Sequence, residues 1–144
     1  MLTYYHGTRR SDAVAMAGLP GGAGTIDVLL GGGEFGRGFY GQDSKANALT
    51  WAQNRFGHAQ NPSILQLELD DQAFRGLTVR QLTAKQAWKL SQKIYAKGTQ
   101  KTHREGVDVV VGLLNGSAWV EQQKFESPKA QTLLNGTQTT RTVI

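Results

Sequence analysis

The chain has 144 residues, 39% of them hydrophobic, a mean hydropathy of -0.39 and a net charge of +5 with a pI near 9.7. These values describe one folded domain over residues 1–144 and exclude a disordered chain, and no apolar run approaches the ~20 residues that cross a bilayer as a helix, so no membrane partner is expected. Without cysteine there is no disulfide, thiolate metal site or cysteine nucleophile, and three histidines far apart in sequence point to no metal site.

In chain order, Leu2 to His6 reads as a short tyrosine-rich strand. Ser11 caps a helix to about Ala17, which Gly18 and Pro20 end. Gly21 to Gly24 form a loop, and Ile26 to Leu30 make an apolar patch before a second glycine cluster, Gly31 to Gly33. A short strand ends at Tyr40. Asp43 or Ser44 caps a helix from Lys45 to about Phe56, with Ala48, Trp51, Ala52 and Arg55 on one face. Ile64 to Leu69 alternates, Leu65, Leu67 and Leu69 on one side and Gln66 and Glu68 on the other, which predicts a half-buried strand.

Thr83 opens a helix from Ala84 to Ala96, with Ala87, Leu90, Ser91 and Ile94 or Tyr95 toward the core and Gly98 closing it. A polar link over 99–105 leads to a β-branched strand, Val107 to Val111. Trp119 to Phe125 is a further strand, and Pro128 to Leu134 a short helix that Gly136 stops. The tail TQTTRTVI is a final strand or a frayed end. There is no regular βαβ alternation, which predicts an α+β fold with a mainly antiparallel sheet.

The positive balance favours anionic partners: a phosphate-bearing small molecule, nucleic acid or an acidic protein. Arg9, Arg10, Arg37, Lys85, Lys89, Lys93, Lys97, Lys101 and Arg104 are dispersed, and their plain reading is a solvated surface.

Three places carry candidate chemistry. At the end of the first strand, Tyr5-His6-Gly7-Thr8 combines an imidazole, a glycine that lets a ligand reach the backbone, and a hydroxyl. Gly36-Arg37-Gly38-Phe39-Tyr40 is no dinucleotide fingerprint, because Gly41 breaks the spacing and no βαβ context surrounds it. Glu121-Gln122-Gln123 sets three hydrogen-bonding side chains in a row in one strand, so they point to both faces; polar residues on an edge strand are the plain alternative. Asp108, at a strand start, reads as a turn cap.

Taken together, Tyr5-His6-Gly7-Thr8, Phe35-Gly36-Arg37-Gly38-Phe39-Tyr40, Ser44-Lys45-Ala46-Asn47 leading to Trp51, and Gln122-Gln123-Lys124-Phe125 followed by Lys129-Ala130 resemble the ADP-ribosyltransferase fold. The likeness is to its His-Tyr-Glu branch, which includes the diphtheria toxin and poly-ADP-ribose polymerase enzymes, in a bacterial variant with glutamine in place of glutamate. It touches residues 4–56 and 107–134 in order, and the middle piece is the most specific.

The resemblance implies two antiparallel sheets with NAD in the cleft between them and flanking helices. It implies that His6 holds a ribose hydroxyl, that the Gly7 backbone pairs with the nicotinamide amide beside Thr8, and that Tyr40 and Trp51 sandwich the nicotinamide ring, whose positive charge suits aromatic faces. Arg37, with Arg9 or Arg10, would meet the pyrophosphate or the second substrate. Gln122 would stand where the family has its acid. An amide binds a hydroxyl but cannot take a proton, so the acceptor needs little activation or another carboxylate helps. Glu121 and Gln123 remain alternatives for that position.

The function so implied is a mono-ADP-ribosyltransferase toxin that cleaves NAD and passes ADP-ribose to RNA, DNA or protein. NAD glycohydrolysis, or a non-catalytic module that binds ADP-ribose or RNA, are the alternatives. The first ten residues lack the apolar core of a signal peptide. The resemblance implies a monomeric effector module, secreted or injected to act in the target-cell cytoplasm and blocked by an acidic immunity protein.

Overall fold

A computed structural model of the protein describes residues 1–18, 25–114 and 120–144; Pro20, the loop expected at Gly21 to Gly24, and Trp119 lie outside them. The described residues form a mixed fold of seven strands and five α-helices. Their order is β1 (Leu2–Arg9), α1 (Arg10–Ala17), β2 (Phe39–Gln42), α2 (Lys45–Phe56), β3 (Pro62–Leu69), α3 (Asp71–Arg75), β4 (Val79–Gln81), α4 (Ala84–Lys97), β5 (Val109–Leu113), β6 (Glu121–Phe125), α5 (Pro128–Asn135) and β7 (Thr139–Val143). The chain divides into two compact units, each drawn from separated stretches of sequence. Among the described residues no helix is long and apolar enough to cross a membrane.

Unit 1 comprises Met1–Ile26, Gly41–Gly76 and Thr132–Ile144. Its strands are all antiparallel: β1 pairs with β2 and β3, and β3 also pairs with β7. β1 does not stop at His6, because Gly7, Thr8 and Arg9 continue the ladder opposite Ile64, Ser63 and Pro62. The alternation read in β3 is real: Leu65, Leu67 and Leu69 are fully buried, and each burial stabilises by about 1.5–3 kcal/mol. Ile64, on the other face, is buried as well.

The helices of unit 1 start differently from one another. Ser11 lies inside α1, whose N-cap is Arg9; no side chain caps it, and the Arg9 guanidinium instead donates to Asp12 at 2.8 Å. At α2 the Ser44 hydroxyl accepts from the Asn47 N–H, the expected cap. α2 buries Ala48 and Ala52 and leaves Trp51 exposed, edge-on to Phe56 with ring centroids 6.1 Å apart. The packed side of α2 is thus narrower than its sequence pattern suggests. A Cβ on Gly7 would lie 2.2 Å from the Ala48 carbonyl oxygen, so only glycine lets α2 come this near β1.

Unit 2 comprises Asp27–Tyr40 and Leu77–Gln131. β5 pairs with β6 antiparallel and with β4 in parallel, a mixed pattern rather than the antiparallel one expected. β5 also sits two residues later than its β-branched run suggests, because its ladder to β6 starts at Val109, opposite Phe125. Phe35, Leu82, Ala87 and Val110 form a core cluster, with Tyr40 packed against it.

Thr83 and Gln86 close a capping box at the start of α4, and Gly98 ends the helix in the left-handed conformation. Ala87, Ser91 and Ile94 are buried, so Ile94 rather than Tyr95 faces inward. Lys85, Lys89, Lys93 and Lys97 are all exposed and the helix has no acidic residue. Like charges four apart cost about 0.2–0.5 kcal/mol a pair. The helix stands on its caps and its buried side, not on surface ion pairs.

Candidate active site

The site is clearest where the loop before β2 meets β6, both in unit 2. Gly36 has φ +92, and a Cβ there would lie 2.2 Å from the His103 carbonyl oxygen, so glycine is required for the turn. The turn aims the backbone at a side chain four residues on. The Tyr40 hydroxyl donates to the Gly36 carbonyl at 2.6 Å and accepts from the Phe35 N–H at 3.0 Å. Burial pushes the Tyr40 phenol well above its usual range; the Phe35 hydrogen bond opposes this, and the Glu34 charge adds to it. The phenol therefore stays neutral and its ring is fixed.

β6 meets the same loop with two polar side chains. Gln122 donates through Nε2 to the Glu34 carboxylate at 3.1 Å. Two residues on, and so on the same face of the strand, Lys124 donates to the Phe35 carbonyl at 2.6 Å. Lys124 also pairs with Glu126 at 2.6 Å, with both side chains essentially without exposed surface. Burial pushes the Lys124 ammonium below its usual range, and Glu126 opposes this. Glu126 accepts in addition from the Glu105 and Gly106 N–H groups, so the buried pair has the further hydrogen bonds that such a pair needs. The Arg37 backbone N–H donates to the His103 carbonyl, while its Nε is buried without a partner among the described residues.

An amide donor orients a carboxylate without neutralising it. Glu34 is thus held one residue from the loop that locks Tyr40. Its field reaches α4 as well: burial raises the Tyr95 phenol, and the Glu34 charge adds to the shift. Glu34, Lys124 and Glu126 were not singled out by sequence. The available signal was the run Gln122-Gln123-Lys124 before Phe125, polar residues in a strand that turns out to be buried throughout those positions.

The seven expected site residues divide between the units. Arg37, Tyr40 and Gln122 belong to unit 2, where Tyr40 and Gln122 converge on residues 34 to 36. His6, Gly7, Thr8 and Trp51 belong to unit 1. There His6 is half-buried opposite Leu65, Gly7 lies against Ala48, Thr8 is buried, and Trp51 is 44% exposed. Of the three neighbours in β6, Gln122 is the one hydrogen-bonded to Glu34; the Gln123 Oε1 is buried without a partner among the described residues.

Asp108 does cap a turn. It accepts from the Thr78 N–H at 2.7 Å and from the Ser127 hydroxyl at 2.6 Å. Burial alone would raise its carboxyl, but these bonds and Lys129 hold it below the usual aspartate value of 3.8. With Thr78, Arg104, Glu126 and Pro128 it lines a cavity of about 470 Å³. Asp108 and Glu126 are the acids of that wall, and both are engaged within it, which makes the wall structural.

No protein-family model matches the chain, and no curated protein matches it.

Proposed function

We propose that the protein is a mono-ADP-ribosyltransferase that cleaves NAD between nicotinamide and its ribose and transfers ADP-ribose to a macromolecule. The observation that carries this reading is the Glu34 carboxylate held by Gln122 beside the locked Tyr40 ring. The bond to nicotinamide breaks with oxocarbenium character, so fixed negative charge near the ribose lowers the barrier. A glutamine alone supplies no such charge; the pair Glu34–Gln122 supplies it. In this reading Gln122 uses its amide N–H on Glu34 and its carbonyl on a ribose hydroxyl. Glu34 faces the developing cation and takes the proton that the acceptor loses on attack.

The remaining roles follow the resemblance. The all-antiparallel arrangement that the resemblance implies is not part of the reading, because β4 pairs with β5 in parallel. In unit 2, Arg37 meets the pyrophosphate and Tyr40 stacks on the nicotinamide ring. As a toxin module the protein would act inside a target cell, with an acidic immunity protein suited to its charge of +5.

The test is incubation of the purified chain with NAD labelled in its adenylate part, with and without a bacterial lysate. Label is expected on a macromolecule, with nicotinamide released. Glu34→Gln is expected to lower the rate by about 10²–10³-fold, and Tyr40→Ala to abolish it. Nicotinamide release without retained label would make the protein an NAD glycohydrolase. No release from the folded chain would overturn the enzyme reading in favour of a binding module.

A further inference from the structure

Unit 2 holds ten of the sixteen Lys and Arg residues and six of the eleven acids, so it carries +4 of the chain's +5. Its acids are largely engaged internally: Glu34 by Gln122, Glu105 by Arg80 and His103, Asp108 by Thr78 and Ser127, Glu126 by Lys124. The lysines of α4 are not. Lys85, Lys89, Lys93 and Lys97 follow one another at intervals of four, a single ridge across the exposed side of the helix. None has an ion-pair partner among the described residues. Lys101, the next at that interval, and Arg104 follow the helix and are exposed too.

Two large aromatics, Trp88 at 56% and Tyr95 at 49% exposure, stand on the flank next to Lys85, and the ridge turns away from them by about 40° at each step toward Lys97. Seven residues apart, they share a side of the helix about 10.5 Å from one another along its axis. A ridge built for solubility alternates charge and needs no exposed tryptophan. Lysines four apart with aromatic faces alongside suit a polyanion whose charges recur at short intervals and whose flat groups stack. Tyr95 also brings this side of α4 within the field of Glu34.

We infer that the exposed side of α4 is a docking surface for single-stranded nucleic acid, its phosphates on Lys85, Lys89, Lys93 and Lys97 and its bases on Trp88 and Tyr95. This rests on the reading of the Glu34–Gln122 site only in making the docked strand the acceptor; the docking itself stands apart from it. An acidic protein would meet the lysines but has no use for both rings, and a duplex hides its bases from them.

The test is titration of the full chain into a labelled single-stranded RNA at rising salt without NAD, followed by anisotropy and by tryptophan fluorescence. The double variant Lys89→Gln, Lys93→Gln is expected to weaken binding by about tenfold or more and to reduce the log–log salt slope by about 1.4. Trp88→Leu is expected to weaken binding with the slope unchanged and to remove the fluorescence quench. Unchanged affinity in the lysine variant would overturn the proposal. So would equal binding of duplex RNA, or of poly-glutamate, with no effect of Trp88→Leu. Nicotinamide release without acceptor is followed in parallel and is expected to be unaltered in the lysine variant. If the wild-type chain binds RNA through these residues but never releases nicotinamide, the transferase reading falls and the docking surface stands. If it releases nicotinamide and the lysine variant binds RNA as before, the reverse holds.

Discussion

β3 and β6 are both buried strands, and they are filled in opposite ways. β3 presents Leu65, Leu67 and Leu69 to its core, and its buried polar side chain is the short Ser63, which donates to the Ile144 carbonyl. β6 buries Gln122, Gln123 and Lys124 beside Phe125; Glu34 meets Gln122, and the Phe35 carbonyl and Glu126 meet Lys124, while the Gln123 Oε1 has no partner among the described residues. The first arrangement stabilises through area alone and tolerates reshaping. The second stabilises little on balance, because desolvating an ammonium and a carboxylate offsets their attraction. What it provides is position: each partner has one place to be. A strand that holds a carboxylate beside an aromatic ring needs position more than area.

The comparison breaks most visibly at Lys124. Replacing it by methionine leaves Glu126 buried without its cation, and urea denaturation is expected to show a loss of about 3–5 kcal/mol. Adding Glu126→Gln is expected to recover part of that loss, a coupling that only a paired site shows. Leu67→Ala in β3 is expected to cost about 2–5 kcal/mol, with no second change elsewhere that restores it. If Lys124→Met proves the cheaper of the two, the polar row of β6 is dispensable and the contrast fails.

A smaller effect sharpens it. The Asp108 carboxyl lies below its ordinary value in the folded chain, so its contribution to stability is full above pH 3.8 and is lost as pH falls through the lowered value. The stability difference between the wild-type chain and Asp108→Asn is therefore expected to shrink on acidification below that pH, as followed by denaturation at each pH. A difference that grows instead would mean that the Thr78 and Ser127 bonds do not favour the charged form.

The same contrast governs what was legible in the sequence. β3 announced itself because leucine alternation is a local signal, and α4 because Thr83 and Gly98 mark its ends. Asp43 or Ser44 as the cap of α2, and Gly98 as the stop of α4, follow from a few neighbouring residues. α3 and β4, of five and three residues, are too short to show a period. The extension of β1 to Arg9 depends on a partner strand more than fifty positions away. Within the candidate site, the polar run of β6 was visible but not its burial. The Glu34–Gln122 contact joins residues 88 positions apart, and nothing near Glu34 in sequence foretells it. On α2, the pattern placed Trp51 with Ala48 and Ala52, but the near approach of β1 leaves room for the alanines alone.

The buried ammonium of Lys124 makes the chain its own clock. Of eight lysines, seven are exposed and open to an amine-reactive reagent at once, while Lys124 has no accessible surface. Its modification must wait until β6 parts from the loop at Phe35, so the rate at which that one residue is labelled measures how often this part of the protein opens.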